Sequence, residues 1–377
     1  MRELTADDAR NAVLGGGVLA CGGGGWLHHG ELMGAAATTL SNPVLADVDE
    51  LPGDTWVATV SAIGAPAAPT WEIRPVDYVH ALQRLIEEAG VPITAVMTAQ
   101  NGYSTSVNGW IQSSVLGVTV LDAAGDVRAH PTGKLGALGL TTRPGYVATQ
   151  VVSGGNRGLA GPLEVVVRGT SATADDVLRD VSVRAGGFIA SARNPVELAW
   201  VREHAALGAI TVALDLGAAM QQAQPKGGEA VVEAVLETLE GRVLARGPLE
   251  HAVPLVTRGG WDHGTLRVGR GDQAVEVPYL NEFMAADASG ERLATYPDTI
   301  AMLDADSGLP LAVKDSHAAT GREVVVVAVD AALLPLSSSA VDPVGLAEVE
   351  QIMGLELVAH LTPEVLHRKG GAELARA

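Results

Sequence analysis

The sequence predicts an α/β protein of two domains. The first is an N-terminal α/β layered domain with a mixed sheet; the second is a C-terminal β-rich, barrel-like domain with helices. Three observations predict this. The chain has 377 residues, more than one hydrophobic core usually serves. Residues 55–121 alternate Val/Thr-rich strand patterns with helical spacing, the rhythm of partly parallel strands covered by helices. From about residue 145 the texture becomes β-rich, and residues 242–329 carry short apolar runs between glycine turns, the pattern of a small barrel or sandwich. The boundary is set at residue 160, giving domains 1–160 and 161–377.

Residues 4–14 read as a helix, with Thr5 and Asp8 spaced as a capping box. Seven glycines then fall within Gly15–Gly25, too many for a stable helix interior, because each pays a large backbone entropy. Residues 29–40 form a second helix. Strand 55–62, helix 75–90, strand 93–98, helix 108–116 and strand 118–121 follow, with a turn at Asp122–Asp126. Strands are expected at 146–152, 163–168 and 187–192, with a helix over 173–184. Ser191–Pro195 reads as a strand-to-helix turn, and helices span 195–207, 211–223 and 228–239. The strands 242–257, 263–269, 273–279, 298–304, 310–313 and 322–329 complete the chain. In such sheets ligands bind beyond the carboxyl ends of the strands, so the loops at 63–66, 100–105 and 122–136 are the places to look for a site.

Composition excludes several functions. Hydrophobic residues make up 47% of the chain, so core material is ample. Lys and Arg total 25 against 44 Asp and Glu, a formal charge of -19. That balance opposes nucleic-acid binding and a polybasic membrane patch. Aromatic residues are only 3%, so stacking platforms for bases are scarce. A single cysteine rules out an internal disulfide and any multi-cysteine metal site. No signal peptide or membrane-spanning run is read, so a cytoplasmic protein is expected. A homo-oligomer acting on a small molecule, without nucleic acid or membrane, is the expected setting.

Cys21 stands between Ala20 and four glycines, ahead of a helix. Uncovered amides and a helix start stabilise a thiolate, which a nucleophilic cysteine needs. The rival reading is a small buried residue in a tight turn. His28 and His29 follow closely. Gly15–Ala20 is a nominal G-x-G-x-x-A, but no strand precedes it and no acid follows at the right distance, so a nucleotide cofactor is not expected. His130 and Lys134 lie in a loop beyond a strand; they are an acid–base candidate and a carboxylate holder, or else a solvated loop. Arg193 could clamp a carboxylate. Asp262, His263 and Glu282, with His130 or His29, would supply enough ligand types for zinc, although no spacing matches a strong ligand motif. No cofactor is therefore expected, and a divalent metal such as zinc is the rival reading.

The order of Leu19–Gly25, Asp49–Pro52, Ile63–Pro66, Leu121–Pro131, Pro278–Glu282, Tyr296–Ile300 and Asp306–Pro310 resembles the S-methyl-thiohydantoin desulfurase family over about residues 10–335. The resemblance implies an N-terminal α/β domain and a C-terminal β-rich domain with the cleft between them. It also implies a hydrolase that removes methanethiol from a hydantoin-like ring. Cys21 stands where many relatives carry Thr, and an acid with a paired Gly is missing near Gln100; both departures point to a thiol-bearing subset. On this basis the expected catalytic residues are Cys21 as nucleophile, His29 or His130 as proton shuttle, and Glu282. The expected substrate-binding residues are Gly23, Gly24, Asn101, Lys134, Arg193, Asp262 and Asn281. A metal-bound hydroxide, or an accessory subunit of a hydantoinase-like system, is the alternative.

Overall fold

The computed structural model describes residues 1–159 and 161–367. The expected boundary residue 160 and the end of the expected second domain lie outside them. The first sheet contains β1 (Arg2–Glu3), β2 (Val44–Ala46), β3 (Trp56–Gly64), β4 (Ile93–Gln100), β5 (Thr119–Asp126), β6 (Ala148–Gly154), β7 (Leu163–Gly169), β8 (Phe188–Glu197) and β9 (Ala206–Leu207). Its order is β1-β2-β5-β4-β3-β8-β6-β7, with β9 on β5. The pairs β2/β5, β5/β4 and β4/β3 are parallel, whereas β8 joins β3 and β6 antiparallel. The sheet is mixed, as the sequence predicts, and it takes strands from both sides of residue 160.

Burial on both faces explains the near-continuous apolar runs of β3 to β5. Helices α1 (Ala6–Leu19), α2 (Leu27–Leu40), α3 (Pro75–Ala89) and α4 (Trp110–Leu116) belong to this half. Tyr78, Leu82 and Leu85 of α3 pack with Val60, Val96 and Trp110 in one core. The Thr5–Asp8 capping box is present. Helices α5 (Ser171–Arg184), α6 (Leu198–His204), α7 (Ala209–Ala223) and α8 (Gly228–Leu239) follow.

The second sheet is antiparallel and curls into a half-barrel. It contains β10 (Arg242–Arg258), β11 (Trp261–Val268), β12 (Val275–Leu280), β13 (Glu282–Phe283), β14 (Ala285–Ala288), β15 (Glu291–Thr295), β16 (Thr299–Asp304) and β17 (Glu323–Val329), in the order β15-β14-β12-β11-β10-β17-β16, with β13 on β12. The long β10 makes the corner. Its first half pairs with β17 and its second half with β11. Residues of α1, α7 and α8 share a core with Leu303 and Val327, so the same helices serve both halves. Among the described residues, no helix is long and apolar enough to cross a membrane.

Four local expectations are corrected. Gly15, Gly16 and Gly17 lie inside α1, not in a loop. Their entropy cost is offset by close approach: a Cβ on Gly15 would lie 2.0 Å from the Ala213 carbonyl of α7, and one on Gly17 would meet the Tyr103 ring at 2.4 Å. Asp122–Asp126 is not a turn. It prolongs β5, because Ala124 and Asp126 register with Thr98 and Gln100. Ser191–Pro195 belongs to β8, since its pairing with β3 continues to Trp56 and Glu197; the following helix is therefore short. Residues 310–313 form only a bridge, from Leu303 to Pro310. Gly15→Ala should cost about 1–3 kcal/mol or more by overpacking, whereas Gly53→Ala, with nothing within 4 Å of its Cβ position, should be nearly neutral; urea denaturation of both variants checks this.

Candidate active site

Beyond the carboxyl ends of β3 and β4 lies a cleft enclosing about 520 Å³ of unfilled space, part of it open to solvent. Strand β3 supplies Ser61–Gly64 and β4 supplies Ala99 and Gln100. The loop after β5 adds His130, Pro131 and Gly133; β8 adds Arg193; α5 adds Asp175 and Arg179, four residues apart and so on one helix face. The bend between α1 and α2 contributes Gly24 and Gly25. The half-barrel closes the cleft with Asn281 and Glu282.

The wall built by α5, β8 and the loop after β5 is a buried ionic network. Arg193 Nη1 donates to Asp175 Oδ1 at 3.1 Å, and Nη2 donates to Ser61 Oγ at 3.0 Å. Asp175 Oδ2 accepts from Thr132 Oγ1 at 3.2 Å. Arg193 Nε has no hydrogen-bond partner among the described residues. Arg179 donates to the Gly260 and Pro131 carbonyls at 2.9 and 2.8 Å and lies 3.7 Å over Trp261. The two His130 ring nitrogens face the Thr132 and Ala99 carbonyls at 2.9 and 3.3 Å. Burial holds its proton affinity down to about 4, so the imidazole is neutral at pH 7.

Glu282 faces this wall. It is 3% exposed, and burial pushes its carboxyl up to about 8 against the pull of Arg128 and Arg179. The acid is therefore mostly protonated at pH 7. Its Oε2 has no hydrogen-bond partner among the described residues. Gly23 makes room for it, since a Cβ there would stand 1.9 Å from Oε1. The strand bends sharply at Asn281, whose φ is 59°. Asn281 Oδ1 accepts the Asp262 amide at 2.8 Å, and the Asn281 amide donates to the Asp262 carbonyl at 2.7 Å.

Of the sequence-predicted residues, Gly24, His130, Arg193, Asn281 and Glu282 line the cleft. The others do not. Cys21 is 0% exposed and is not part of the lining. Burial pushes its thiol up, against Arg128 and the Ile300 amide, so the expected thiolate is corrected to a sealed thiol: the bend's backbone turns the residue inward at φ 48°. His29 sits among Trp26, Trp71 and Tyr78, and burial holds it down to about 4. Lys134 is paired with Asp176 and Glu348, outside the cleft lining. Asn101 spends its amide on the Val127 and Ala209 carbonyls and on Ser106. Asp262 accepts from Thr257 and the Ala67 amide, pinning the loop after β3 to the half-barrel. Among the described residues, no three His, Cys, Asp or Glu side chains gather as a metal-binding group.

Sequence reasoning missed Asp175 and Arg179, whose spacing on the 173–184 helix is the one available signal. It also missed Arg128, buried behind Glu282. Arg128 donates to the Ala129, Asp298 and Phe283 carbonyls at 2.9, 2.5 and 2.9 Å. Its guanidinium lies 4.8 Å over the Tyr296 ring. Tyr296 donates to Asp126 at 3.3 Å, a carboxyl that burial pushes up to about 7.

Comparison with known proteins agrees with this architecture. A family model described as S-Me-THD-like, N-terminal domain, matches residues 7–157, and one described as S-Me-THD-like, C-terminal domain, matches residues 169–348. The chain belongs to the S-Me-THD-like family, the family its motifs resemble. A crystal structure of a protein from Chromobacterium violaceum is similar in fold, with a TM-score of 0.71 at 23% identity over 94% of this chain and 97% of that one. No curated protein matches.

The buried acid has a stability signature. Glu282 keeps its proton up to about pH 8 in the folded chain and releases it near the ordinary 4.5 when unfolded. Its contribution is thus full below pH 4.5 and is lost as pH rises through 8. Relative to Glu282→Gln, the wild type should lose unfolding free energy from about pH 5 to pH 8, at no more than about 1.4 kcal/mol per pH unit, the one-proton limit. Denaturant titrations of both proteins across that range measure it.

Proposed function

We propose that the protein is a hydrolase that removes methanethiol from an S-methyl-thiohydantoin-like ring, leaving the hydantoin, without a covalent cysteine intermediate. The observation that carries this reading is the pair of carboxyl groups in one cleft held in different environments: Asp175 paired with Arg193, and Glu282 kept protonated with an unpartnered oxygen. Two carboxyls separated in this way divide into base and acid. The family membership supports the substrate class.

Asp175 takes a proton from a water as its oxygen bonds to the ring carbon bearing sulfur. The C=N electron pair moves to the ring nitrogen, which receives the proton of Glu282. On collapse the new hydroxyl returns its proton to Glu282 and becomes the carbonyl. The C–S bond breaks, and the departing sulfur takes the proton from Asp175, so both carboxyls are restored and one water is consumed per methanethiol released. Arg193 keeps Asp175 in place through the bond to its Oδ1. The Gly24 amide is taken by the Glu282 carboxyl; the next amide, Gly25, at a positive φ of 87°, is suited to meet developing negative charge.

Glu282→Gln should lower turnover by about 10²–10⁴, the usual worth of a general acid. Cys21→Ala should keep turnover within about tenfold, because the thiol touches no reacting group. Thiol-release assays on both folded variants check this. A Cys21→Ala protein without activity would restore the covalent mechanism.

A further inference from the structure

Arg128 carries a buried charge held by main-chain carbonyls and by the face of the Tyr296 ring. It is 0% exposed, yet no carboxylate among the described residues lies within ion-pair distance of it. Each of its hydrogen bonds goes to a main-chain carbonyl. A guanidinium placed only to bind carbonyls would be an expensive choice, since burying an unpaired charge is costly. Two of those carbonyls, Phe283 and Asp298, belong to the half-barrel, and Phe283 follows Glu282 directly. The same Phe283 donates its amide to the Cys21 carbonyl at 2.6 Å. Residue 283 is therefore gripped on both sides by the N-terminal domain.

We propose that Arg128 is a positioning residue: it reaches across the domain boundary to fix where the Glu282 carboxyl sits, and it serves as that carboxyl's buried counter-charge. This rests on the reading of Glu282 as the proton donor. The groups that face Glu282 are Arg128 from the loop after β5, Arg179 from α5, Asp262 from β11 and the Gly24 amide. Cys21 and Asp126 share the same guanidinium. Of these, Arg128 opposes the effect of burial on Glu282 most strongly, and it does so without lining the cleft.

The test is the pH dependence of methanethiol release by wild type, Glu282→Gln, Arg128→Gln and Arg128→Lys, with melting curves as the check on folding. In wild type the rate should fall on an alkaline limb near pH 8 that Glu282→Gln abolishes. Arg128→Gln should move that limb upward by about one unit or more, the usual effect of losing a nearby opposite charge. Arg128→Lys should leave the limb in place and lower kcat at least about tenfold, because an ammonium cannot span the same carbonyls. A folded Arg128→Gln with an unmoved limb, or an Arg128→Lys with wild-type kcat, overturns the inference; the second decides alone if Arg128→Gln does not fold. If Glu282→Gln keeps the limb, the acid assignment falls instead. The infrared band of the neutral Glu282 carboxyl, identified by its loss in Glu282→Gln, gives the same midpoint without turnover, so the charge relation stands or falls even on a protein that releases no thiol.

Discussion

The main chain at Phe283 is the joint on which the site depends. Its amide is taken by the Cys21 carbonyl and its carbonyl by Arg128, so a strand of only two residues is locked to the other domain. One residue before it, Glu282 has no freedom to withdraw into solvent. The glycine bend is held as firmly. Gly22 accepts from Val313, Gly24 from Ser104, and Leu19 from Ala129. These bonds satisfy backbone groups that a buried bend would otherwise leave orphaned, and they set the Gly24 amide against a carboxyl that belongs to the opposite half.

The electrostatics follow from this geometry. A chain with formal charge -19 keeps its cleft from being acidic by two means. Arg179 and Arg193 bring cations, and burial keeps the Glu282 proton on. The first is visible as charge. The second exists only because the half-barrel presses Glu282 against Gly23 and excludes water.

The layered fold was legible because it is written locally. Parallel strands buried on both faces read as apolar runs, and α3 carries its core at helical spacing. The local errors share one cause, which is contact from far along the chain. Glycines are poor in helices in general, yet Gly15 and Gly17 are in one because Ala213 and Tyr103 come too close for any side chain. Part of the cleft lining is legible too: His130, Arg193, Asn281 and Glu282, which the sequence singles out at strand ends or in loops, line it. Cys21, Lys134, Asn101 and Asp262 looked equally exposed to chemistry. Glu348, Ala209 and Ala67, which hold Lys134, Asn101 and Asp262, lie a hundred residues or more away, and no spacing announces them. Arg128 was hidden for the converse reason, since a guanidinium bound only to carbonyls has no partner that sequence can name.

The sealed thiol turns the molecule into its own clock. Cys21 is the chain's single sulfhydryl, and it lies where α1 gives way to the bend that both domains hold. A thiol-directed reagent therefore reacts only when that seam parts, so the labelling rate counts openings of the joint in the same way that amide exchange counts openings of a helix. Ligands that bridge the two walls slow the count; agents that loosen the half-barrel quicken it. A residue sealed in the seam thereby reports how often the two halves come apart.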